Sequence, residues 1–171
     1  MPICSDPTAR SAHLEYKATL RTHQDGGELF KPLETACLKT IAAFLNSGHG
    51  GTLLIGVADD GSVHGLESDY ATLRNAGHDD RDVFQLHLAN VIVASMGAAA
   101  ATNVRPTVHH VDGLDLWRVH VDPCGFPVDA KVVHDKNGQH VTSTEFYVRV
   151  ANGTKSLDDA EKQKYVKQRW G

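Results

Sequence analysis

The chain has 171 residues, 41% of them hydrophobic, enough to enclose the core of one ordinary domain. Its formal charge of -4 argues against wholesale coating of nucleic acid, because affinity for phosphate comes chiefly from a positive surface, but it is compatible with a local basic groove. No apolar run approaches the roughly 20 residues of a membrane span, Met1–Arg10 lacks the apolar centre of a signal peptide, and Cys4, Cys37 and Cys124 form no CxxC pair, so a cytoplasmic, reducing setting without disulfide or zinc framework is expected.

Residues 1–11 read as a tail and 12–171 as the folded domain. From Ala12 to Thr19 the chain alternates, with Ala12, Leu14, Tyr16 and Ala18 on one strand face and His13, Glu15, Lys17 and Thr19 on the other. From Pro32, apolar Leu33, Cys37, Ile41, Phe44 and Leu45 recur at helical spacing, and Ser47-Gly48 should end that helix on a left-handed glycine. Cys37 on its apolar face reads as a small buried hydrophobe. The run Leu53–Val57 has no polar side, which predicts an interior strand beside the Glu15 strand, buried on both faces. Asp59-Asp60-Gly61 then signals a turn into a second strand at Val63.

Glu67 to Asp80 reads as loop. Arg81–Met96 reads as a helix with Phe84, Leu88, Val91, Ile92 and Ser95 on one stripe, closed by Gly97. Strands are predicted at Val104–Val111, Leu114–Val121 and Glu145–Val150, the first two joined by the hairpin signal Asp112-Gly113. Pro123 to Ser143 reads as a long loop. Ser156-Leu157-Asp158-Asp159 resembles a capping box opening a last helix through Trp170. The order predicts an α/β (α+β) fold, a mixed β-sheet flanked by helices.

Three groups of residues are candidates for chemistry. Glu15 and Lys17 project from one strand face, and with Asp59 they would suit Mg²⁺ or Mn²⁺ held against a phosphate. The plainer alternative is a salt bridge on a solvated face, with Asp59 and Asp60 as turn residues. Lys155, Lys162, Lys164, Lys167 and Arg169, with Arg149 just before them, form a basic C-terminal segment that would line a phosphate groove or simply complement a helix dipole. Gly48-His49-Gly50-Gly51-Thr52 follows a helix and opens a strand, the reverse of a Walker loop, so no ATP site is expected. The 11 His residues are scattered, without metal-site spacing.

Leu14-Glu15-Tyr16-Lys17, Leu38 to Asn46, Gly50-Gly51-Thr52-Leu53-Leu54-Ile55-Gly56-Val57-Ala58-Asp59-Asp60-Gly61 and Phe146-Tyr147-Val148-Arg149-Val150, with Asn152 and Thr154, together resemble the Schlafen AlbA-type domain, over about Leu14 to Trp170. The resemblance implies nucleic-acid binding and, in some members, metal-dependent cleavage of transfer or ribosomal RNA by three carboxylates. Glu15 and Asp59 match two of these, with Lys17 stabilising charge on the phosphate; Arg10 stands where the first would fall. The animal proteins pair two such lobes in one cleft, so a homodimer is expected of a chain with room for one. The leading expectation is a nucleic-acid-binding domain, RNA slightly ahead of DNA, with Lys17, Arg21, Arg149, Lys155, Lys164 and Lys167 as contacts. A metal-dependent ribonuclease using Glu15 and Asp59, and a protein-interaction module touching no nucleic acid, are the alternatives.

Overall fold

The computed structural model describes residues 11–171; Cys4, Arg10 and all of the expected tail except Ser11 lie outside them. Strand β1 (Leu14–Lys17) leads through a loop into helix α1 (Pro32–Asn46), which returns the chain to β2 (Gly51–Ile55), parallel to β1. Helices α2 (Glu67–Leu73), α3 (Asp80–Met96) and the short α4 (Ala98–Ala101) follow. The hairpin of β3 (Val104–Val111) and β4 (Leu114–Val121) completes a mixed sheet of order β1-β2-β4-β3. Strands β5 (Asp129–Lys136), β6 (Gln139–Val150) and β7 (Gly153–Leu157) form a second, antiparallel sheet, and α5 (Asp159–Trp170) ends the chain.

The mixed sheet and the interior position of β2 agree with the sequence expectation. The second sheet departs from it, because the segment read as a long loop folds into β5 and the first half of β6. Asn137 (φ 53°) and Gly138 (φ 80°) make the tight turn between them, the Asn-Gly hairpin chemistry that matches strand twist. Residues read as loop after Glu67 contain α2, anchored by Asp69, whose carboxylate accepts from the backbone N–H of Leu20 (2.7 Å) and Arg21 (3.0 Å) and from the Thr22 hydroxyl (2.9 Å). Val63 makes a single bridge to Val57 rather than opening a strand. The last helix is capped by Asp158, which accepts from Glu161 N, while Ser156 belongs to β7.

Helix α1 is enclosed on nearly every side. Ile41, Ala42, Ala43, Phe44 and Leu45 are each fully buried, so its whole circumference is core. One side meets Leu53, Ile55, Val119 and Val121 of the mixed sheet, and the other meets Ala130, Val132 and Tyr147 of the second sheet. The last residue, Asn46, donates to Val128 O and Tyr147 O and accepts from Val128 N, all at 2.9 Å, pinning the helix end to the second sheet. Tyr165 and Arg169 of α5 then donate to Asn46 O (2.7 Å) and Ser47 O (3.1 Å), supplying donors to carbonyls that a helix end leaves unpaired. Cys37 is fully buried here, and burial pushes its thiol up to about 12, which keeps it an inert core group.

The outer face of the mixed sheet is less covered than expected. Leu54 is only half-buried, packing with Tyr16, Val57 and Leu116 in a small separate cluster. At the end of α1 the expected glycine cap is replaced by Ser47 in extended conformation, whose hydroxyl donates to Phe44 O (2.8 Å) and accepts from Gly50 N (2.8 Å). Gly50 carries the positive φ of 68°. Gly51 has ordinary backbone angles, but a Cβ there would lie inside contact distance of the buried Phe44 ring. The Gly-Gly pair thus lets β2 run against α1. Gly51→Ala is expected to destabilise the fold by about 1–3 kcal/mol through overpacking, read as a lower urea midpoint with unchanged slope.

Candidate functional site

Register places Glu15 opposite Leu53 and Lys17 opposite Ile55, so the polar face of β1 points towards α1 and the main core, not to solvent as a one-sided strand would have it. The Glu15 side chain is only 7% exposed. Its carboxylate is charge-compensated by the equally buried Arg149 of β6, with Nη1 3.2 Å from Oε2, and by Lys17 Nζ at 3.8 Å from Oε1. Arg149 also donates to Thr154 Oγ1 (3.0 Å) and to Ser11 O (2.9 Å), and its guanidinium lies 5.0 Å from the Phe44 ring centre. This ion pair joins an edge strand of one sheet to the central strand of the other.

Arg149 therefore occupies a different place from the surface contact expected of it. Its guanidinium is 3% exposed and committed to internal partners. Arg21 is half-buried, with its Nε enclosed and making no hydrogen bond among the described residues. In the C-terminal basic segment, Lys162 pairs with Asp129 (2.7 Å) and lies over Phe146, and Arg169 serves the end of α1. Lys164 is exposed and pairs with Glu161 (3.0 Å), and Lys167 is exposed in the last turn.

Lys17 and Lys155 do come together. A cavity of about 460 Å³ opens along the seam between the sheets, with Glu15 and Lys17 of β1, Lys39 of α1, His134 of β5, Glu145 of β6 and Lys155 of β7 in its wall. Lys39 also lies over the Tyr147 ring, 5.5 Å from its centre. Sequence reasoning missed Lys39, His134 and Glu145. Lys39 is the one cation of helix α1, a signal available in the sequence, whereas the other two fell in or beyond a segment read as loop.

Asp59 is exposed on the turn after β2 and lines a neighbouring cavity that shares Lys17, together with Asp25 and Glu28. Its neighbour Asp60 accepts from Ser62 N (2.9 Å) and the Ser62 hydroxyl, which lowers its pKa and identifies it as a turn residue. The donors fit a divalent ion poorly. Glu15 already faces two cations, Glu15 and Asp59 line separate cavities, and among the described residues no three His, Cys, Asp or Glu side chains gather into a group that could hold a metal.

The fold and site define an α+β domain in which one helix is enclosed by two sheets and a lysine-lined cavity opens where they meet. The chain belongs to the Schlafen AlbA family: the family model described as "Schlafen, AlbA_2" matches residues 11–158. This family is associated with nucleic-acid binding. The crystal structure of the DIP2311 protein from Corynebacterium diphtheriae is similar in fold, with a TM-score of 0.59 and 18% identity. The match covers 94% of this chain and 24% of that one, so the chain spans about a quarter of that protein's length. No curated protein matches.

Removing one member of a buried ion pair leaves the other charge uncompensated, at about 3–5 kcal/mol. Arg149→Ala is expected to lose about that much in urea unfolding. Glu15→Gln combined with Arg149→Met should recover much of it, because the pair then leaves together. Equal losses for the single and double variants would contradict a direct pairing.

Proposed function

We propose that the chain binds nucleic acid, RNA ahead of DNA, along the cavity at the seam of the two sheets. The observation that carries this reading is the convergence of Lys17, Lys39 and Lys155 from three different elements on one cavity. Lys17 is compensated by Glu15, but among the described residues neither Lys39 nor Lys155 is in a salt bridge. The three lysines outnumber the two carboxylates, Glu15 and Glu145, and Glu15 is also compensated from behind by Arg149. Among the described residues, the neighbouring cavity shares Lys17 and is lined by Asp25, Glu28 and Asp59. A phosphate chain is drawn to the cavity where the lysines converge.

Lys164 and Lys167, exposed on α5, would add sequence-independent contacts outside the cavity. No helix among the described residues is long and apolar enough to cross a membrane. The two cysteines described, Cys37 and Cys124, are buried and unpaired, which suits the cytoplasm. The reading extends to a two-fold pair of copies, which would set two such cavities in one assembly; sedimentation equilibrium with and without RNA should reveal a dimer, and a monomer in both would remove that extension.

Fluorescence anisotropy with a single-stranded RNA should give a Kd of about micromolar and a negative salt slope of a few ions. Lys17→Ala, Lys39→Ala and Lys155→Ala should each weaken binding and reduce the slope by about one. Lys164→Ala with Lys167→Ala should have the smaller effect per charge. Cleavage on adding Mn²⁺ or Mg²⁺ is expected to be weak or absent, since Glu15 is committed to its cations. No binding to RNA or DNA at about 50 mM salt would transfer the reading to a protein-interaction module.

A further inference from the structure

Glu145 is out of place in a wall built for phosphate. An ionised carboxylate offers only acceptors, and so does a phosphodiester, so the two repel. Yet Glu145 is not tucked away. Its side chain is one-third exposed, at 33%, in the same cavity as Lys17, Lys39 and Lys155.

Its orientation is fixed by two neighbours that use the same oxygen. The Tyr147 hydroxyl donates to Oε2, and His134 Nε2 lies 3.2 Å from that atom and 2.9 Å from Ser143 Oγ. Among the described residues, no hydrogen bond is made to Oε1. The same contacts, with the nearby Lys39 charge, hold the carboxyl below its ordinary range and keep it ionised. The result is an acceptor held by two contacts and partly open to solvent, in the cavity wall that also holds the three lysines.

Such an acceptor requires a donor on the ligand. The backbone of DNA has none, whereas RNA carries one 2′-hydroxyl per nucleotide, able to donate as well as accept. We propose that Glu145, oriented by Tyr147 and His134, reads the ribose: Oε1 accepts a hydrogen bond from a 2′-hydroxyl while the lysines hold the flanking phosphates, so the cavity selects RNA over DNA. The inference rests on the nucleic-acid reading above and assigns its sugar specificity to one residue.

Three oligonucleotides of equal length test it by anisotropy: uridine RNA, its deoxyuridine counterpart and its 2′-O-methyl counterpart. Wild type should bind the RNA about tenfold tighter than either of the others, the scale of one hydrogen bond to a charged group. Glu145→Ala should lower RNA affinity to the deoxyuridine level and leave deoxyuridine binding unchanged or stronger, since a repelling charge has gone. Tyr147→Phe, which removes the orienting donor and no charge, should shrink the preference in the same way. Lys17→Ala should weaken all three ligands alike. Equal wild-type affinities, a preference that survives in a folded Glu145→Ala, or 2′-O-methyl RNA bound as tightly as RNA would overturn the assignment. Absence of binding to all three would instead overturn the nucleic-acid reading on which it stands.

Discussion

The organisation of this protein follows from one constraint, a helix whose last turns, Ile41–Leu45, are apolar around the whole circumference. A helix with one apolar stripe rests on one sheet, but α1 presents Cys37, Ile41 and Phe44 together with Leu38, Ala42 and Leu45, and all of these are buried. Full burial of each large side chain contributes roughly 1.5–3 kcal/mol, and half of that apolar surface would be forfeited on the mixed sheet alone. The second sheet supplies the missing side. Asn46 fixes where it sits, because its three hydrogen bonds reach the chain leading into β5 and the middle of β6 at once.

Enclosing α1 brings the edge strand β1 alongside β6 and creates the seam. There the Glu15 carboxylate is cut off from bulk water, and a buried carboxylate demands a cation. Arg149 answers Glu15 with a fork that also engages Thr154 and Ser11. Apolar residues of similar volume would hold such a seam together equally well. What charged residues add is a defined field at the cavity floor, and they place Lys17 at its rim.

Much of the fold was legible because periodicity and turn chemistry are local. The span of α1, the β3–β4 hairpin at Asp112-Gly113 and the interior strand at Leu53 all follow from spacing alone. The second sheet was hidden by composition, since the polar run through Thr142, Ser143 and Thr144 and the Asn-Gly turn look like loop when no partner is known. Its signal lay elsewhere, in the unbroken run Ile41–Leu45, which no single sheet could bury. The face of β1 was misjudged for the same reason. Alternation tells which residues share a side, and only the tertiary arrangement decides that the side with Glu15 and Lys17 faces the helix. Candidate contacts divided accordingly. Lys155 joins Lys17 at the cavity, whereas Arg149, no less basic in sequence, is an internal strut.

The acidic whole and the basic cavity do not conflict. At physiological salt a charge is screened beyond about 8 Å, so a ligand in the seam responds to the side chains lining it, and the overall charge of -4 matters mainly at longer range. On the proposed reading, the carboxylates of the neighbouring cavity, Asp25 and Glu28, acquire a role without belonging to the binding surface. A phosphate chain straying past Lys17 would meet like charge there. On that reading, attraction for a polyanion is confined to the stretch of surface where α1, the mixed sheet and the second sheet meet.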